Sequence, residues 1–143
     1  MTTAAKTNYG TVLKVGDGGT PTELFTVIGE IVSLDPPELL NEAVEITNQS
    51  SGGWREFASG GLKELTEFTA TINFVDAHVT DLYDDLVAGT KRNYQIAFPD
   101  DGSTTWTFAA LVTSVKPLSV DAQSPEALQA EVKFQPTGAN TLA

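Results

Sequence analysis

The chain has 143 residues, a length that suits one domain with its own core, and it contains no cysteine. The lack of cysteine excludes disulfides, thiolate metal sites and thiol nucleophiles. Its 8 Lys and Arg stand against 19 Asp and Glu, so the formal net charge of −11 argues against holding duplex DNA through its phosphates. Residues 1–10 are polar and no later stretch is long enough to span a membrane, which predicts a flexible N-terminal arm and no membrane contact.

The first part of the chain is predicted to form short strands separated by turns. Candidate strands lie at 11–15, 24–28, 30–34 and 43–46, with a glycine-rich turn at 16–21 and a break at Asp35-Pro36-Pro37.

A long polar loop is predicted over residues 47–61. It is rich in glycine, yet it carries Trp54, Arg55 and Phe57. Loops of this length are uncommon in compact domains and are usually functional or disordered. Because Trp and Arg are enriched in interface hot spots, we predict that these three side chains contact another subunit. The alternative is a loop folded back onto its own domain.

The centre of the chain reads as strand, helix, strand. Phe68, Ala70, Ile72 and Phe74 alternate with polar residues, and Tyr94, Ile96 and Phe98 alternate again further on. Between them, Asp76 is a good N-cap and Gly89 a good stop. The predicted helix places one set of side chains on its apolar face, namely Val79, Leu82, Tyr83, Leu86 and Val87. It places Asp81, Asp84 and Asp85 opposite.

The last part is predicted to hold two longer strands. Residues 105–115 form the first, with a bulge near 109–112, and residues 128–134 form the second, followed by a small-residue tail at 137–143. Several one-faced strands with a single helix predict one mainly β domain over 1–143, a sandwich or barrel of two packed sheets with a flanking α-helix. Its best strands carry few Lys or Pro residues, so their edges are poorly protected, which favours pairing with another chain.

No stretch carries a chemical motif. His78 is the only histidine and falls in the first helical turn, where a surface role is expected. The three helical aspartates offer too few oxygens for a cation without help from elsewhere. The glycines at 16–19 are not followed by a helix or a Lys-Ser/Thr pair, so they do not form a phosphate loop. We therefore predict no catalytic residue, no cofactor and no metal.

The order of short motifs resembles the major tail tube proteins of long-tailed, siphovirus-type bacteriophages. The matching runs are Ile46-Thr47-Asn48, Gly53-Trp54-Arg55-Glu56-Phe57, Gly60-Gly61-Leu62-Lys63-Glu64, Phe98-Pro99-Asp100, Val115-Lys116-Pro117 and Phe134-Gln135-Pro136-Thr137-Gly138. One departure is Leu65, where a glycine or an acid is expected before Glu67.

The resemblance implies a structural virion protein that forms stacked hexameric rings, a hollow tube through which DNA passes without specific binding. Its partners would be other copies of itself and the tape measure, tail tip and terminator proteins, in the virion tail after assembly in the host cytoplasm. Thr69, Thr71 and Asn73 are then expected to face the lumen. Other hypotheses are a tube protein of a contractile or type VI secretion system, a stand-alone adhesion or carbohydrate-binding module, and an acid-rich hydrolase.

Overall fold

A computed structural model describes residues 10–19, 22–28, 31–74, 76–99, 104–118 and 128–143. Within them lie nine strands, one α-helix and one short 3-10 turn. The strands are β1 Val12–Gly16, β2 Phe25–Val27, β3 Ile31–Asp35, β4 Leu39–Glu45, β5 Phe57–Leu65, β6 Phe68–Asn73, β7 Lys91–Ala97, β8 Thr105–Pro117 and β9 Gln129–Leu142; the helix α1 is Asp76–Ala88 and the 3-10 turn is Gln49–Ser51.

Seven strands form one curled sheet in the order β2-β1-β7-β8-β9-β6-β3, with antiparallel pairing throughout. The edge strands β2 and β3 follow each other in the chain, and helix α1 packs against the central strand β8. Strands β4 and β5 form a separate two-stranded sheet. The predicted mainly β fold with a flanking helix is confirmed.

The core lies inside the curl of the seven-stranded sheet and is built on aromatic rings. Phe134 stacks on Phe68 with centroids 4.8 Å apart, and Tyr94 meets Phe134 at 5.0 Å. Phe108 contacts Phe68 edge to face at 5.3 Å. Each ring comes from a different strand and projects inward through the period-two alternation of that strand, so the cluster joins β6, β7, β8 and β9.

The helix is turned relative to the predicted orientation. Leu82 is buried as predicted, but Tyr83 and Val87 are 57% and 70% exposed, and Asp85 is only 8% exposed. The prediction was wrong for these three residues because the Arg92 side chain supplies Asp85 with an ion-pair partner, N to O 2.7 Å. A paired carboxylate can occupy the buried face that an unpaired one would avoid.

The helix ends as predicted at Gly89, which has a φ of +69°. The Gly89 and Thr90 N–H groups donate to the carbonyl oxygens of Leu86 and Asp85, the bonding pattern of a Schellman C-cap. No helix in the described part of the chain is long and apolar enough to cross a membrane.

The last strand, predicted at residues 128–134, is longer in the structure. Residues 137–142 are not a tail, because strand β9 continues to Leu142 and pairs with β8, where Trp106 lies opposite Leu142. The predicted bulge in β8 lies one residue beyond 109–112, because the register shift between Val112 and Ser114 leaves Thr113 as the extra residue. A second shift, between Phe108 and Ala109, places the extra residues on β9, where Gly138 has a φ of +77°. The predicted N-terminal arm, residues 1–10, lies outside the described residues except for Gly10.

Candidate self-association site

The β4–β5 hairpin, residues 39–65 here, stands apart from the curled sheet. Its two strands pair only with each other in the described ladders. Two hydrogen bonds hold its base, from the Glu38 N–H to Thr66 Oγ1 at 2.8 Å and from the Thr66 N–H to the Glu38 carbonyl at 3.0 Å. Leu65 is buried where β5 enters the core. The hairpin is therefore anchored at one end.

Two glycines kink the middle of the hairpin. The ladder register shifts between Asn41 and Ala43, so Gly60, Gly61 and Leu62 lie opposite the single residue Glu42. Gly61 has a φ of +82°, and a Cβ at Gly60 would lie 3.0 Å from the Glu42 carbonyl oxygen. A side chain at either position would be strained, so the bulge requires this Gly-Gly pair.

The tip of the hairpin, residues 46–56, is ordered by its own hydrogen bonds. Asn48 caps the 3-10 turn, accepting from the Ser50 N–H at 2.8 Å while its own N–H donates to Ser51 Oγ at 3.0 Å. The Ser51 hydroxyl in turn donates to the Glu56 carboxylate at 3.0 Å, and the Ile46 N–H donates to the Glu56 carbonyl at 2.8 Å. Such a tip loses little conformational entropy when it binds a partner.

Large apolar side chains on the hairpin point into solvent. Trp54 at the tip is 79% exposed and Leu62 in the bulge is 78% exposed. The others are Leu39, Leu40, Val44, Ile46 and Phe57. Single exposed apolar residues are ordinary, but a cluster of this size on one element marks an interaction surface.

The three residues predicted to contact another subunit all lie on this hairpin and are exposed. Trp54 and Arg55 are in the tip. Phe57 was predicted to be in the loop, but it is the first residue of β5, so the predicted loop of 47–61 was too long. The hydrogen bonds of the tip fold the chain back earlier than the glycines suggested. Sequence reasoning did not single out Leu39, Leu40, Val44 and Leu62 as interface residues. The strand predicted at 43–46 covers only the second half of β4, because residues 39–42 do not alternate.

The three residues expected to face a lumen share one face of the curled sheet. Thr69, Thr71 and Asn73 alternate with the buried residues of β6 and are partly exposed. Across the ladder they lie opposite Lys133, Glu131 and Gln129 of β9. These six positions are polar and carry one cation, Lys133, and one anion, Glu131. Beside them on the same face lie Lys116, opposite Glu131, and Asp35, opposite Thr69.

A cleft lies between α1 and strands β1, β2 and β7. The Arg92–Asp85 ion pair lies on one side, and hydrogen bonding to Asp85 raises the pKa of Arg92. Burial raises the pKa of Tyr94, whose hydroxyl has no hydrogen-bond partner among the described residues. Hydrogen bonds from the Gly19 and Leu24 N–H groups lower the pKa of Asp17, which also lines the cleft. Among the described residues, no group of three or more His, Cys, Asp or Glu is arranged to hold a metal ion.

The fold is similar to chains of tail-like particles. It matches a chain from the tail of an empty GTA particle refined with C6 symmetry, with a TM-score of 0.76, 18% identity, 97% of this chain and 99% of that chain covered. A chain from the virion of a native gene transfer agent particle gives a TM-score of 0.73 at 20% identity, with 97% of this chain and 99% of that chain covered. A chain from the sheath/tube terminator of the extracellular contractile injection system PVC gives a TM-score of 0.71 at 17% identity, with 97% of this chain and 96% of that chain covered. No curated protein matches this sequence.

These likenesses define the class as the phage tail tube fold. The family of the lambda phage tail tube protein matches residues 16–143, so this chain belongs to that family. It is therefore a structural protein of a virion tail and not an enzyme.

Proposed function

We propose that copies of this chain associate into hexameric rings, and that the rings stack into the hollow tail tube of a long-tailed phage. DNA passes through the tube during ejection without specific binding. Membership of the lambda phage tail tube protein family supports the assignment to a phage tail. A ring requires a contact between two different surfaces of the subunit, repeated by a rotation that closes.

The observation that carries this proposal is the hairpin. Its exposed apolar side chains, among them Trp54, Phe57 and Leu62, would be costly to leave in water on a lone monomer. The ordered tip is also ready to bind without a folding step. Burial of the hairpin against neighbouring copies accounts for both features, with Trp54, Arg55 and Phe57 as the inter-subunit contacts.

The polar face of the curled sheet suits the wall of a DNA channel. Thr69, Thr71 and Asn73 offer neutral polar groups, and Lys133 is offset by Glu131 two residues away. A wall without an excess of cations does not capture phosphates, and the net charge of −11 repels DNA at longer range. We propose that this face lines the lumen.

Other tail proteins would complete the tube. We propose contacts with a tape measure protein in the lumen, a tail tip at one end and a terminator at the other; what supports the terminator contact is the likeness to chains from a sheath/tube terminator and a tube terminating cap. Assembly would take place in the host cytoplasm, and the finished protein would be part of the virion tail.

Electron microscopy tests the proposal. The protein is concentrated alone, and is also co-expressed with the tail tip proteins of its phage, which would nucleate growth. Six-fold rings or hollow tubes are the expected result. Particles that stay monomeric under both conditions would contradict the proposal.

A further inference from the structure

The proposed tube leaves open where the tip of the hairpin binds, and the following inference rests on that proposal. We propose that the tip of one copy docks into the cleft between α1 and β1–β2 of a second copy, with Arg55 facing the acids of the cleft and Trp54 packing on its apolar wall.

The cleft carries negative charge that its own residues do not neutralise. It has a volume of about 390 Å³, and Asp17, Asp81 and Asp84 line it from the β1–β2 connection and the helix. The one cation in its lining, Arg92, already forms an ion pair with Asp85 at 2.7 Å. Three carboxylates are thus left for a cation from outside.

A second observation points to a binding partner in the same cleft. The Tyr94 side chain is fully buried, its residue lines the cleft, and its hydroxyl has no hydrogen-bond partner. The hydroxyl lies close enough to Asp85 and Arg92 for their charges to act on it. An unsatisfied buried hydroxyl is costly, so the monomer leaves one hydrogen bond unmade in the wall of this cleft.

Arg55 is the cation that fits this cleft. It is exposed, and no ion pair joins it to any other described residue. The side-chain hydrogen bonds of the tip join residues 45–56 to one another, so the tip keeps its shape without help from the sheet. Beside it, Trp54 presents a large ring that matches the apolar wall formed by Val15, Ile28 and Leu82.

The occupant comes from a second copy because the hairpin approaches its own curled sheet at β9, and not at the elements that form the cleft. The seven residues of β4 extend about 23 Å from the base to the tip. The two strands pair with each other, and a hydrogen bond between Glu38 and Thr66 holds the ends of the hairpin together. Charge complementarity then selects the acidic cleft of a neighbour.

Engineered cysteines test this contact, because the chain has none of its own. Ser50→Cys, in the tip but leaving Arg55 in place, and Asp84→Cys proteins are purified separately, mixed in equal amounts, assembled and oxidised; placing the cysteines on different chains excludes an intrachain disulfide. The matched control replaces Asp84→Cys with Lys116→Cys, an exposed position outside the cleft. Cross-linked heterodimer is read on a denaturing gel.

The expected result is about tenfold more heterodimer with Asp84→Cys than with Lys116→Cys, as proximity raises effective concentration. Equal yields, or no heterodimer in tubes visible by microscopy, would overturn the docking site while leaving the proposed tube intact. If unsubstituted protein forms neither rings nor tubes, both proposals fail.

Charge reversal provides a second measurement. Arg55→Glu and Asp84→Lys should each slow tube growth about tenfold, and the combination should regain most of it, as expected for an ion pair at an interface. Lys116→Glu makes the same change in net charge as Arg55→Glu and should not slow growth. Two single variants without effect, or a double variant no better than either, would contradict the pairing.

Discussion

The curled sheet and the β4–β5 hairpin use the same kind of sequence in opposite ways. In the sheet, alternating apolar residues meet inside the curl, so that Phe68, Tyr94 and Phe134 are fully buried. In the hairpin, alternating residues such as Leu40 and Val44 remain in water, because no second layer covers them. One region is complete within the chain and the other is incomplete, and that contrast directs attention to neighbouring copies.

The two regions are stabilised differently. Burial of apolar surface stabilises the sheet, whose long central strands are β8 and β9. The tip of the hairpin rests on local hydrogen bonds among Asn48, Ser51 and Glu56. Substitutions in the sheet should therefore change the free energy of unfolding, whereas substitutions in the hairpin should change assembly.

The largest effect is expected from Phe134→Ala. This ring contacts both Phe68 and Tyr94, so its removal leaves a cavity between three strands. We expect a loss of about 3–5 kcal/mol in the free energy of unfolding, measured by urea denaturation. A loss below about 1 kcal/mol would show that the aromatic cluster is not the centre of the core.

The two tryptophans form a matched pair that separates the two regions. Trp106 packs on Phe108, and its ring N–H donates to Asn140 Oδ1 at 2.9 Å, so Trp106→Ala should cost about 3 kcal/mol of stability. Trp54→Ala should change monomer stability by less than about 0.5 kcal/mol, because its ring is in solvent. In sedimentation assays of tube growth, the folded Trp54→Ala protein should be impaired. Normal tubes from this variant would remove Trp54 from the interface.

A smaller effect is expected from the ion pair under the helix. Asp85→Ala leaves Arg92 without its carboxylate beside a buried position. Because the Arg92 side chain is 41% exposed and water can solvate it, the cost should be about 1–2 kcal/mol, measured by thermal unfolding. Asp84→Ala, at an exposed position of the same helix, is the control for helix propensity. Equal losses in the two variants would mean that the pair contributes nothing of its own.

The smallest effect at neutral pH is expected from Tyr94→Phe, which removes an unpartnered hydroxyl and keeps the ring. Stability should stay the same or rise by about 1 kcal/mol. Burial raises the pKa of Tyr94, so above a pH of about 10 the unfolded chain releases this proton first and stability falls as pH rises.

The Tyr94→Phe protein should therefore lose less stability between neutral pH and a pH of about 11 than the unsubstituted protein does. Urea denaturation at both pH values measures the difference. Tyr83→Phe, which changes an exposed tyrosine, should not alter the pH dependence. The same alkaline loss in the Tyr94→Phe and unsubstituted proteins would assign the effect to other groups.

How far the sequence predicts the structure depends on whether a signal is local. Period-two alternation identified β6, and the Asp76 and Gly89 signals bounded α1, because these depend on neighbouring residues. The burial of Asp85 was missed because it depends on Arg92, which reaches back from the next strand. Likewise, β9 extends past Gly138 only because β8 offers a partner along its whole length.

The candidate site shows the same division. Trp54, Arg55 and Phe57 were identifiable as large side chains in a polar, glycine-rich stretch. The strands beneath them were partly hidden, because Gly60 and Gly61 suggest a loop when read alone and a bulge only when β4 lies opposite. The cleft between α1 and β1–β2 could not be predicted, since it forms from segments far apart in the chain.

The central claim is that neighbouring copies cover the hairpin. Cryo-electron microscopy of the assembled protein, at a resolution that shows side chains, tests it most directly. The account predicts that every hairpin lies against another subunit, with Trp54 and Phe57 buried and with Thr69, Thr71 and Asn73 on the channel wall. Tubes in which the hairpin projects freely into solvent would contradict it.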